Sequence, residues 1–267
     1  MNALIASGLI AGLRGRSVQA VAFLGFLLVG AAYLTGSFSP RQPQTVALDV
    51  GFSFLRITLV FLVLFWTQEL ITKEIERKTI LFTLSYPIAR WKYILARFFT
   101  IAGLNLCSAL VFAGLLWGAA LLAANDYQQQ FPVNLGLKFW LTIGGLYLDS
   151  MIVAAFALWV ASISTTSIMP LASGILFAIC GKSLGAAIAY IEAGADGDAV
   201  LTQRFQPLLS SIQYIVPDLS RLDWRFAALY NTPIPHSSII MASAMGIFYI
   251  MLLLLLTSMM FRRREMF

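Results

Sequence analysis

The sequence predicts an all-α membrane protein, and three observations carry that prediction. First, its 267 residues are 60% hydrophobic and only 11% charged, with a mean hydropathy of +0.83, whereas soluble globular chains carry about 25% charge. Second, six apolar stretches, roughly 17–35, 52–70, 94–123, 136–162, 168–191 and 238–260, are long enough to be spans; a helix needs about 20 residues to cross a ~30 Å hydrocarbon core. Third, these stretches are continuously apolar, without the alternation in segments of about ten residues that marks barrel strands. Lipid offers backbone amides no partners outside helices or closed barrels. A single transmembrane domain over 1–267 therefore accounts for the chain.

The elements follow in order. Residues 1–16 are mildly apolar and hold Arg14 and Arg16 at their end, which predicts a short helix lying in the membrane interface. The apolar run that follows is too long for a signal-peptide core and no A-x-A site follows it, so it is expected to be a retained first span. Gly36 to Gly51, with Pro40 and Pro43, reads as an irregular external loop. A second outer loop, Asn125 to Leu135, is short and polar, and the inner connection from Ser162 to Ser167 is tiny and uncharged. Residues 192–237 form an extracytoplasmic segment before the last span. There Leu201, Phe205, Leu208, Ile212 and Ile215 recur at helical spacing. A second stripe comprises Leu219, Leu222, Phe226 and Leu229, with Trp224 and Tyr230 suited to the membrane interface. Two short outer helices at or dipping into the surface are expected, with a plain structured loop as the other reading.

The net charge of +6 would point a soluble chain toward nucleic acid, but topology explains it here. With both termini cytoplasmic, eleven of the 18 Lys and Arg fall inside and five outside, while Arg56 and Lys182 lie within spans. That is the bias of the positive-inside rule. No nucleic-acid partner is implied; membrane lipid is.

The dense patch of charge is residues 69–97, expected as an aqueous loop between the second and third spans. It holds Lys73, Arg77, Lys78, Arg90, Lys92 and Arg97 interleaved with Glu69, Glu74 and Glu76. Ile71, Ile75, Leu81, Leu84 and Ile88 fall on one side of a helix, and Glu74 and Lys78 form an i,i+4 pair in the favourable order. Pro87 biases Tyr86 away from helix, which should stop there. On charge alone such a helix could be a simple positive-inside anchor or a surface for a soluble partner.

Three short runs go further: Glu74-Ile75-Glu76-Arg77-Lys78-Thr79-Ile80, Leu84-Ser85-Tyr86-Pro87-Ile88-Ala89-Arg90 and Tyr93-Ile94-Leu95-Ala96-Arg97. Together they resemble the loop after the second span of ABC-2-type permeases, the transmembrane subunits of type-2 ABC exporters. Members of that family have E-x-E-x-G-T followed by a hydrophobic residue, then Pro-x-x-Arg, then Gly-Lys entering the next helix. Here Lys78 stands at the glycine and Ala96-Arg97 at the Gly-Lys, and the E-R-[RK]-T-I variant resembles the copper-linked NosY-type subgroup. The resemblance implies a coupling helix region over 71–90 that docks on an ATPase subunit. Its implied coupling residues are Glu74, Glu76, Arg77, Lys78, Thr79, Pro87 and Arg90. It also implies two ABC ATPase copies that carry ATP and Mg, and a second permease copy as a homodimer. A bacterial inner-membrane location with outward transport follows from the same likeness.

Other signals point to no chemistry in this chain. Gly181-Lys182-Ser183 lacks the first glycine of a phosphate-binding loop, which is Leu176 here, and lies mid-span instead of after a strand. No cofactor or catalytic residue is expected, and ATP hydrolysis belongs to another chain. His236 is the sole histidine, and Cys107 and Cys180 sit in separate apolar runs, so no metal site is expected. Ser173-Gly174 faintly resembles an intramembrane serine protease, but Leu171 replaces that family's leading glycine.

Lysines and carboxylates inside a span are costly and mark pairs or polar paths. Asp149 and Lys182, each near the middle of a span, are expected to pair, either fixing helix register or lining a cargo or proton route. Arg56 is expected one turn into its span, snorkelling outward. An ion-coupled secondary transporter using Asp149 and Lys182 is the alternative function.

Overall fold

The computed structural model describes residues 2–79, 89–123, 132–164, 166–192 and 217–263, and every helix and contact below is among them. Helix α1 (Asn2–Arg14) leads into α2 (Arg16–Ser37), which turns back antiparallel into α3 (Pro43–Thr67). A π-helical turn, Gln68–Thr72, carries α3 without a break into α4 (Lys73–Glu76). Then follow α5 (Arg90–Ala123), α6 (Leu137–Ile163) and α7 (Ile168–Glu192). A 3₁₀ turn (Leu219–Leu222) and α8 (Arg225–Tyr230) precede α9 (His236–Arg263).

Six of these helices are long and apolar enough to cross a membrane, and no strand occurs among the described residues. The chain is an all-α, multi-pass membrane protein. Arg14, Arg16, Arg77, Arg90, Lys92 and Arg262 gather at one end of the bundle, called the basic end here; the other is the far end.

Spans are buried unequally. In the most apolar window of α6, 67% of residues are buried, and in that of the α3–α4 span 56%, against 17% in α2 and α9. The bundle is thus built around α3 and α6, with α2, α7 and α9 at its periphery. Phe52, Leu55 and Leu59 of α3 and Phe139 and Leu146 of α6 belong to the central core, and Trp66 Nε1 at the end of α3 donates to the Gly12 carbonyl of α1 at 3.1 Å. Without a hydrophobic driving force in lipid, polar contacts also fasten the helices: Asn105 Nδ2 donates to Ser150 Oγ at 2.8 Å and Tyr147 OH to the Ala102 carbonyl at 3.2 Å.

Three sequence expectations change. The irregular loop expected from Gly36 to Gly51 shrinks to residues 38–42, because α3 begins at Pro43. Proline is well placed at a first helical position, where its missing N–H would have had no partner. The aqueous loop expected over 69–97 also shortens, since helix persists through the π turn to Glu76 and resumes at Arg90. Trp224, expected at the interface, is 9% exposed and packed between spans. The stripe from Leu201 to Ile215, the loop from Asn125 to Phe131 and the segment from Ile80 to Ile88, with Pro87, lie outside the described residues.

Candidate functional site

At the basic end, the charged patch divides into an inward and an outward half. Lys73–Glu76 is a single helical turn, so Glu74 and Glu76 point to different sides of it. The Glu74 carboxylate turns into the bundle, where Arg97 of α5 pairs with one oxygen and Tyr93 OH donates to the other at 2.6 Å. Arg97 is 5% exposed and its guanidinium also lies over the Tyr93 ring, 5.3 Å from the centroid. Tyr93 stacks in turn on Phe261 of α9, ring centroids 5.9 Å apart. Arg90 Nη1 donates to the Arg262 carbonyl at 3.1 Å, tying the start of α5 to the end of α9. These contacts bind α4, α5 and α9 into one block.

Glu76, Arg77, Lys78 and Thr79 are all exposed on the outside of that block. The helix stops because Lys78 adopts a left-handed backbone, φ 56°, with its N–H on the Ile75 carbonyl. That conformation suits glycine at a helix end. The expected Glu74–Lys78 pair is not formed, since the helix ends before Lys78 completes an i+4 position and Glu74 is held by Arg97.

A second polar cluster sits deep in the bundle. Arg56 of α3 pairs with Asp149 of α6 and donates from Nη2 to the Ala178 carbonyl of α7 at 3.2 Å. Lys182 of α7 pairs with Asp223, just beyond the 3₁₀ turn. Asp223 also accepts from Arg225 Nε at 2.9 Å, and Arg225 Nη1 reaches back to α3, to Asp49 at 3.2 Å and Ser53 Oγ at 2.8 Å. Asp49, Ser53 and Arg56 follow at i, i+4 and i+7, so one face of α3 serves the whole cluster.

The expected Asp149–Lys182 pair is therefore replaced by two others, and the expectation that Arg56 snorkels outward is corrected with it. Because α3 starts at Pro43, Arg56 lies thirteen residues along it, about 20 Å at 1.5 Å per residue, and its side chain is only 15% exposed. It meets Asp149 instead, whose remaining oxygen Oδ1 is buried without a partner among the described residues. Burial raises the Asp223 carboxyl pKa. The hydrogen bonds and charges of Arg225 and Lys182 outweigh that and hold it below the usual carboxylate range. The relay imagined between Asp149 and Lys182 is not present as a direct contact.

The segment around Asp223 is wedged between spans. Cβ atoms built on Gly145 and Gly185 would fall 2.1 Å from the Leu222 carbonyl oxygen and 1.9 Å from Ser220 Oγ. Only residues without a side chain let the 3₁₀ turn approach so closely. Gly181, part of the false phosphate-loop tripeptide, likewise packs against Leu219. Thr142 Oγ1 donates to the Trp224 carbonyl at 3.2 Å, and Lys138 Nζ caps the end of α8 through the Asn231 carbonyl at 2.8 Å. Among the described residues no group of three or more His, Cys, Asp or Glu could hold a metal ion.

A family model described as ABC-2 family transporter protein matches residues 7–266. The chain belongs to that family. Comparison with curated proteins gave no match. The ABC-2 family supplies the membrane component of ABC transporters, not a catalytic subunit, and its members generally work with an ABC ATPase.

Within this ABC-2 protein, the motif residues separate by position. Glu74 is a half-buried anchor held by Arg97, Arg90 a tie to α9, and Glu76, Arg77, Lys78 and Thr79 form the exposed edge. Arg97, at the position of the family's Gly-Lys lysine, proves to be Glu74's partner, and Tyr93 joins it. Sequence reasoning missed both as site residues. The signal available was the match of Arg97 to the second half of the same motif, since two halves of one motif on neighbouring helices are candidates to touch.

Proposed function

We propose that this chain is the permease subunit of an ATP-driven exporter in a bacterial inner membrane. The basic end is cytoplasmic, with both termini there, as the positive-inside bias favours. Two copies form a homodimer, and two ABC ATPase subunits carry ATP and Mg. One coupling segment per chain gives each ATPase one grip, and two ATPases facing each other call for two permeases; a symmetric dimer is the simplest closed arrangement. The E-R-K-T-I run at residues 76–80 favours the NosY-type subgroup.

The observation that carries this reading is the exposed edge Glu76–Thr79 at the end of a helix that runs unbroken into the bundle. A force on that edge passes through α4 and the π turn to α3, because the helix is continuous there, and through the clamp of Arg97 and Tyr93 on Glu74 to α5. Toward its other end α3 holds Arg225 through Asp49 and Ser53, and at its middle it holds Asp149 through Arg56. Closure of the ATPases would thus tilt a helix bonded to the far-end wedge, linking nucleotide state to access on the opposite side. π turns inside helices are frequent at functional sites, and this one lies where the lever leaves the core.

Charge reversal at the exposed edge tests the proposal. Glu76→Lys or Arg77→Glu should abolish most ATPase co-purification and transport while the chain still inserts and keeps its thermal midpoint. The mass of the detergent-solubilised complex should correspond to two permeases and two ATPases. Full assembly and transport in both variants, or a complex with a single permease, would refute it.

A further inference from the structure

A groove of about 650 Å³ opens at the far end between the wedged segment and α9, within the usual size of small-molecule sites. Arg221, Asp223 and Trp224 line one wall, and Ile234, Met241 and Met245 the other. Its two ends differ in chemistry. Met241 is 72% exposed on a peripheral span, so the apolar wall is continuous with the lipid-facing surface. Met241 and Met245 are one helical turn apart, about 6 Å along α9, and flexible thioethers adapt to irregular apolar ligands.

The polar end favours an anion. Arg221 uses Nε on Asp218 at 3.2 Å, and its side chain is 58% exposed. Its two terminal nitrogens make no hydrogen bond among the described residues. A guanidinium edge left open in this way matches paired phosphate or carboxylate oxygens. Asp223, the carboxylate in the same wall, is shared between Lys182 and Arg225, so it offers no free negative charge to repel an anion or to hold a cationic head.

We propose that this groove binds an anionic lipid, with the phosphate head on Arg221 and one acyl chain along Met241 and Met245. Trp224 lies beside the head end and reports on occupancy. The binding does not depend on any ATPase, so its test is separate from that of the transport reading.

The full chain is reconstituted in nanodiscs that mix phosphatidylcholine and phosphatidylglycerol, with dibrominated acyl chains on one lipid at a time. The fluorescence contributed by Trp224 is obtained by difference from Trp224→Phe. Quenching of that contribution should show a roughly fivefold preference for phosphatidylglycerol, on the scale of about 1 kcal/mol for one basic residue near a membrane surface. Arg221→Gln should remove the preference and keep the thermal midpoint, while Arg14→Gln at the opposite end leaves it intact. Met241→Asp, which puts charge on the apolar wall, should lower quenching by both lipids. Equal quenching by the two lipids in the unaltered protein, meaning ordinary boundary lipid only, would overturn the proposal. So would a preference that survives Arg221→Gln, or displacement by millimolar inorganic phosphate, which would indicate a soluble phosphorylated ligand.

Discussion

Replacing Asp149 by asparagine should expose the energetic weight of the deep ion pair. The substitution keeps size and removes charge, leaving Arg56 with the Ala178 carbonyl at 3.2 Å as its remaining bond. The two side chains are 15% and 3% exposed, respectively for Arg56 and Asp149. Breaking a buried pair by removing one partner costs about 3–5 kcal/mol, and the lower figure applies because Arg56 retains a carbonyl and slight access. At about 2–4 °C per kcal/mol for a chain of this size, Asp149→Asn should lower the thermal midpoint by roughly 6–12 °C. Arg56→Met, which keeps an apolar stem of similar length, should do comparable harm by stranding the carboxylate. The double variant should recover most of the loss, giving a coupling of about 2 kcal/mol or more, beyond the ~0.5 kcal/mol at which independent sites add. Lys182 pairs with Asp223 and makes no ion pair with Asp149, so the Asp149→Asn, Lys182→Met cycle should show a smaller coupling. Fluorescence-detected size-exclusion chromatography after heating measures all of these midpoints. Additivity between Asp149 and Arg56, or stronger coupling to Lys182 than to Arg56, would refute the assignment of partners.

Two further substitutions probe the ends of the bundle. Gly145→Ala should displace the wedged segment, since a Cβ there would fall 2.1 Å from the Leu222 carbonyl oxygen and backbone cannot swing aside; a loss of at least ~2 kcal/mol is expected by analogy with overpacked cores, and an unchanged thermal midpoint would contradict it. Lys78→Gly should raise the midpoint by about 2–4 °C, because a non-glycine residue in the left-handed region costs roughly 1–2 kcal/mol and glycine's freedom in the unfolded chain offsets part of that gain. Lys78→Val in the same assay should lower it.

Hydropathy is local and additive, so the sequence alone determined the six spans and their order. The short 162–167 turn was legible for the same reason: α6 ends at Ile163 and α7 begins at Ile168. The motif at 74–97 was also legible, being contiguous. Helix starts were less so, and reading Pro43 as a loop residue instead of a first helical position moved Arg56 from the core to the surface. Ionic partners were decided by tertiary structure alone. Arg56 and Asp149 are 93 residues apart, and Lys182 and Asp223 are 41 apart. Which of several opposite charges meet depends on how each helix is rotated about its axis, at about 100° per residue, and on what approaches from the far end. Glycines at 145, 181 and 185 let the 3₁₀ turn in, bringing Asp223 to Lys182 and leaving Asp149 to Arg56. That exchange arises from packing between distant segments, and periodicity along any one helix carries no trace of it.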